Sequence, residues 1–226
     1  MAGPPRAAIA RLPSSPPSLS SESTKHTCAP TSGWSNRRFA AESTASCYAT
    51  PRSPEAIRAF VQACRYPNAK PVKGIGEGLL GSGSQGYASR IWGITAAEYT
   101  KKADPWPLNP GGEFLLGLKI EDKHALANAD LVAAVPGIGF AEWGPGDMGI
   151  SLNLPDGHTA NETLHPEMRA ARAKVLAACK KNKIAFLNTV RPDDVEKMID
   201  EGVRIGSGGQ EAAEKGRRYT KRPLPW

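Results

Sequence analysis

The chain has 226 residues, 40% of them hydrophobic, which is enough apolar material for one large α/β domain or two small ones. Gly, Pro or a charge interrupts every apolar run before it reaches the ~20 residues that cross a bilayer, which excludes a membrane-spanning helix and with it a membrane partner. Residues 1–50 and 211–226 each carry five Lys/Arg against two acids, so they hold +6 of the formal net charge of +7; the body is nearly neutral and is not expected to form a nucleic-acid groove.

Residues 1–50 are rich in Ser, Pro, Ala and Thr, with Arg6, Arg11, Arg37 and Arg38 scattered among them and only Glu22 and Glu42 acidic. No helical or strand period is found there. The composition fits a disordered tail, an organelle transit peptide, which would imply organelle import, or a mispredicted gene start. Cys28, Cys47, Cys64 and Cys179 show no CxxC pairing, which fits a reduced, cytoplasmic compartment. The Asn161-Glu162-Thr163 sequon would matter only in a secreted chain.

Patterned sequence begins near residue 51. Ser53-Pro54-Glu55 reads as a helix start, with Ile57, Phe60, Val61 and Cys64 following at helical spacing. The glycine-rich run after it contains Gly81-Ser82-Gly83-Ser84-Gln85-Gly86, which formally matches the GxGxxG dinucleotide fingerprint. That fingerprint requires a preceding buried strand, whereas here a helix and Pro71 precede it, so a flexible loop competes with a nucleotide site. Ala96–Lys102 reads as a short helix halted by DPWPLNPGG.

Leu115–Ile120 and Ile138–Trp143 are strand-like apolar runs closed by Glu121 and by a Gly-Pro-Gly turn leading to Asp147, with an Ala/Leu-rich helical segment between them. In a strand–helix–strand unit the strands lie parallel and their ends emerge at one mouth. Two carboxylates there would suit a hard cation such as Mg²⁺ or Mn²⁺. A helix from Pro166, a strand at Ile184–Leu187, a helix over Arg191–Glu201, a strand at Val203–Ile205 and a helix over QEAAEKGRRY follow, with an irregular tail at 223–226. The alternation predicts a parallel sheet with helices outside, on a patterned region shorter than the about 250 residues of a complete (β/α)8 barrel.

The stretch GLKIEDKHALANADLVAAVPGIGFAEWGPGDMGISL resembles the core signature of the HpcH/HpaI aldolase and citrate lyase family. The flanks agree: RSPEAIRAFVQACRYPNAKPVKGIGEG looks like the family's helix and glycine loop, and HPEM like a later helix start, so the resemblance covers about residues 51–222. It implies an α/β fold that is an incomplete (β/α)8 TIM barrel, roughly its C-terminal half to two-thirds, behind a disordered N-terminal segment. It also implies a divalent-metal-dependent carbon–carbon lyase acting on a 2-oxo acid such as pyruvate, with an aldehyde partner, through a pyruvate enolate. By motif position Glu121 and Asp147 would ligate Mg²⁺ or Mn²⁺, and the turn of Gly144, Pro145, Gly146 and Asp147 would hold the substrate carboxylate.

Two departures from the family pattern stand out. No counterpart is found for the first barrel strands, with their acid–base pair and strand-end Arg. Lys119 stands where an amide or apolar residue is common; pointing inward as Glu121 does, it could pair with a ligand or supply missing positive charge. The alternatives are a catalytically dead fragment, a non-enzymatic subunit completed by another chain, and a nucleotide-binding module using Gly81–Gly86. Homo-oligomerisation is expected because an open barrel exposes sheet edges. Glu142 is a weaker candidate beside the site; His124, three residues after Glu121, invites an E-x-x-H metal reading but on the helix after the strand is expected to face solvent, His158 and His165 lack a partner pattern, and Asp122 and Asp130 read as helix-end charges.

Overall fold

The computed structural model describes residues 45–83, 85–154 and 165–221. The expectations for residues 1–44, His158, the sequon and the tail 223–226 lie outside the described residues.

A parallel sheet organises the described chain. Its strands are β1 (Ala45–Ala49), β2 (Pro105–Trp106), β3 (Phe114–Ile120), β4 (Phe140–Trp143), β5 (Ala185–Thr189) and β6 (Val203–Ser207). They lie in the order β1-β3-β4-β5-β6, with two-residue β2 also paired to the start of β3. Every pairing is parallel. The helices are α1 (Pro54–Ala63), α2 (Gln85–Trp92), α3 (Ala96–Lys102), α4 (Lys123–Ala127), α5 (Ala129–Ala133), α6 (Pro145–Ser151), α7 (Pro166–Asn182), α8 (Val195–Glu201) and α9 (Gln210–Thr220).

Local chemistry sets the helix starts. Ser53 Oγ accepts from the Ala56 N–H at 3.2 Å, with Pro54 in the first turn of α1. Thr95 and Glu98 form a reciprocal capping box on α3. Asp122 caps α4 by accepting from the Ala125 N–H at 2.6 Å, as its reading as a helix-end charge expects. Helix α7 ends with Lys183 in the left-handed conformation, and α8 ends at Gly202, whose φ of +121° favours glycine.

The strands divide their side chains between two environments. Leu116, Leu118, Ile120, Ala141, Trp143 and Phe186 are buried against Ile57, Val61, Val132, Met168 and Val175 of the surrounding helices. On the other face, Leu115, Lys119, Glu142 and Leu187 are only half-buried. Phe140 is buried there because its ring lies over Gly117, where an added Cβ would collide with it. The main core is therefore the sheet–helix layer, as in a barrel wall. A smaller cluster of Tyr99, Trp92 and Phe114 packs edge-to-face beneath α2 and α3.

The structure corrects the expectation that no strand precedes residue 51. Ala45–Ala49 pairs in parallel with Leu115–Lys119, a long-range partnership that its short length does not advertise. The Ala/Leu-rich segment forms two short helices, α4 and α5, that meet at Asn128. The Gly-Pro-Gly turn continues as helix α6, because Pro145 presets its first position.

The fingerprint at Gly81–Gly86 also lacks its required setting. Ser84 lies outside the described residues, and the preceding element is helix α1 rather than a strand. Gly81, Gly83 and Gly86 have open space where a Cβ would sit, so close packing does not require glycine at them. Cys64 and Cys179 are buried free thiols, and burial pushes Cys179 up to about 12. Among the described residues, no helix is long and apolar enough to cross a membrane.

Candidate functional site

The ends of β3 and β4 converge as the strand–helix–strand reading requires. Register pairs Lys119 with Glu142 and Ile120 with Trp143, which sets Glu121 and Gly144 side by side just beyond the ladder. Alternation along β3 turns Lys119 and Glu121 to the face opposite the buried Leu118 and Ile120.

Glu121 is the most enclosed charge of the site, with its side chain 7% exposed. Lys119 Nζ stands 3.1 Å from Glu121 Oε2 and is itself 37% exposed. That distance makes the ammonium the charged partner of the buried Oε2. Burial pushes the Glu121 carboxyl above the usual carboxylate range; the Lys119 ammonium opposes the rise, and the nearby Asp147 carboxylate adds to it. Lys119 feels burial most, which lowers its pKa. The Glu121 carboxylate, with Glu142 and Asp147 beyond, outweighs the burial and holds the Lys119 ammonium above its ordinary value.

Gly144 makes this closeness possible. A Cβ there would lie 2.6 Å from Glu121 Oε2 and 2.7 Å from Glu121 Cβ, so the carboxylate rests on bare backbone. The Gly144 N–H faces the Ile120 carbonyl at 3.5 Å, and Pro145 has no N–H to offer. The first-turn donors of Gly146 and Asp147 have no partner within α6, which also lacks a side-chain cap. Gly146 and Asp147 are exposed at the mouth.

The structure thus brings Lys119, Glu121, Glu142, Asp147 and the glycine turn together. His124 lies exposed on α4, and His165 is spent as the cap of α7, accepting from the Glu167 N–H at 3.3 Å. Asp130 pairs with Lys181 and Asn182, away from the site. Among the described residues, no group of three or more His, Cys, Asp or Glu side chains forms a metal cluster. The pair of Glu121 and Asp147 nonetheless fits a hard divalent ion: one carboxylate is buried with an exchangeable ammonium as its partner, a second carboxylate adjoins it, and the mouth is open for water or substrate oxygens to complete the shell.

A model of the HpcH/HpaI aldolase/citrate lyase family matches residues 50–214. The chain belongs to this family. Its relatives include the hydroxypyruvate/pyruvate aldolase of Pseudomonas aeruginosa, 36% identical over 112 residues that cover 50% of this chain and 34% of that protein. The hydroxypyruvate/pyruvate aldolase of Roseobacter denitrificans is 28% identical over 153 residues, covering 67% of this chain and 51% of that protein. The chain therefore spans between about a third and a half of the length of the curated relatives it matches. Among solved structures, an HpcH/HpaI aldolase/citrate lyase family protein from Burkholderia cenocepacia shares the fold with a TM-score of 0.58 at 20% identity, over 84% of this chain and 67% of that one. The parallel sheet with its outer helices is accordingly an incomplete (β/α)8 barrel, as the family resemblance implies.

Sequence reasoning named Gly144 for its backbone and missed its contact with Glu121. The available signal was a glycine at a strand end followed by proline, one position beyond the partner strand's closing residue. It also missed Arg52, which binds Asp122 with Nε and Nη2 at 2.9 and 2.6 Å and ties the chain after β1 to the start of α4.

Proposed function

We propose that the site binds a divalent cation, Mg²⁺ or Mn²⁺, through Glu121 and Asp147, and a 2-oxo acid such as pyruvate at the Gly144–Asp147 turn, for carbon–carbon lyase chemistry of the aldolase type. The observation that carries this reading is the buried Glu121 carboxylate, whose Oε2 meets the Lys119 ammonium at 3.1 Å, beside a second carboxylate at the strand ends. A bound cation supplies Lewis-acid stabilisation of negative charge on the substrate oxygens. The chain's own residues do the positioning. The N–H groups of Gly146 and Asp147 face the substrate carboxylate, and Gly144 leaves the room that lets Glu121 reach the mouth. An aldehyde is the complementary partner in this reading.

A second reading is a family member without catalysis, complete only with another chain. It is favoured by the absence, among the described residues, of a histidine at the site. Among the described residues β1 and β6 each pair on one side only, which supports assembly of copies in either case.

The deciding experiment measures exchange of the pyruvate C3 protons with and without Mn²⁺, alongside Mn²⁺ binding. Metal-dependent exchange abolished by Glu121→Ala supports the enzyme. Mn²⁺ binding without exchange selects the second reading, and no binding sinks the metal assignment.

A further inference from the structure

Lys119 places an ammonium at this mouth, and it touches the residue on which metal binding would depend. It lies two positions before Glu121 on the same face of β3, and its Nζ is 3.1 Å from the buried Glu121 Oε2. Across the ladder it faces Glu142, its register partner on β4. The carboxylates of Glu121, Glu142 and Asp147 all act on it. The ammonium therefore offsets part of the negative potential that would draw a dication to the mouth.

Resting on the metal reading above, we infer that Lys119 is a tethered cation that competes with the divalent ion for Glu121. It acts as a positioning residue that holds Glu121 over Gly144 in the metal-free protein and must withdraw when metal binds. Its partial exposure gives it that route: the stem stays along the sheet while the ammonium swings into solvent or toward Glu142. Metal affinity is thereby set below what two carboxylates on a more negative shell would reach, and the metal-free site keeps its shape.

The test is titration of the whole chain with Mn²⁺, following free Mn²⁺ by electron paramagnetic resonance, for the wild type, Lys119→Met, Lys119→Gln, Lys119→Arg and Glu121→Gln. Competition predicts that Lys119→Met and Lys119→Gln bind Mn²⁺ at least about tenfold more tightly, because a positive charge a few ångströms from a dication has been removed. Lys119→Arg, which keeps the charge, should stay within about twofold of wild type, and Glu121→Gln should lose binding. Unchanged or weaker binding in the neutral variants, with native circular dichroism, overturns the inference while leaving the metal site intact. If Lys119→Met does not fold, Lys119→Gln decides, since it keeps a polar side chain. Absence of Mn²⁺ binding in the wild type removes the underlying reading as well, so the two failures are distinguishable.

Discussion

Gly144 is held to glycine by its neighbour and not by its own backbone, since its φ of −92° suits any residue. The constraint comes from Glu121, whose Oε2 and Cβ occupy the space a methyl group would need. Gly144→Ala should therefore push the Glu121 carboxylate away from Asp147. We expect Mn²⁺ affinity to fall by about tenfold or more while the melting temperature shifts by only a few degrees, checked by metal titration and thermal unfolding. The acids themselves were readable in the sequence because each closes or follows an apolar strand, a local pattern. The Gly144 contact was not, because it joins two strand ends that are neighbours only after β3 and β4 pair.

Of the ion pairs that join elements distant in sequence, two differ sharply in burial. Arg65 and Asp104 are both almost fully enclosed, with Nε–Oδ1 at 2.6 Å and Nη2–Oδ2 at 3.0 Å, and Arg65 also donates to the Lys70 carbonyl. Arg65→Met would leave Asp104 buried with Asn109 as its remaining side-chain donor, and should cost about 3–5 kcal/mol in urea unfolding. The pair Arg65→Met with Asp104→Leu should recover much of that loss. Asp122, by contrast, is paired to the more exposed Arg52 and caps α4, so Asp122→Ala should cost about 1–2 kcal/mol. Burial alone would raise the Asp122 carboxyl, but the Ala125 N–H and Arg52 hold it below the usual range. Its contribution is therefore complete above the unfolded value of about 4 and is lost as pH falls through the lower folded one. The stability gap between wild type and Asp122→Ala should close on acidification below about pH 4, and a gap constant down to pH 2 would exclude this linkage. Neither pair could be read from the sequence, because separations of 39 and 70 residues leave no periodic trace. The starts of α1, α3 and α7 were readable, since Ser53, the Thr95 segment and Pro166 act within a few residues.

At the scale of the molecule, the alternation of strands and helices was legible because parallel strands and amphipathic helices carry distinct periods. The first strand was not, because five residues gain their strand character only from pairing with β3. Among the described residues β1 and β6 each pair on one side only, and a groove of about 300 Å³ runs beside β6 between α8 and α9, lined by Val195, Ile199, Val203 and Ala212. Concentration-dependent association is the expected behaviour in sedimentation velocity, and a single monomeric species up to high micromolar concentration would refute it. The split between a sealed outer face and a half-open inner face of the same strands carries a further consequence. Side chains at alternate positions of β3 do different work: Leu116, Leu118 and Ile120 fill the core against the helices, whereas Leu115 and Lys119 are half-buried on the inner face and Glu121 closes the strand at the mouth. Ligand contacts on the inner row can therefore be altered at Leu115 or Lys119 without opening the layer of Leu116, Leu118 and Ile120 against the helices.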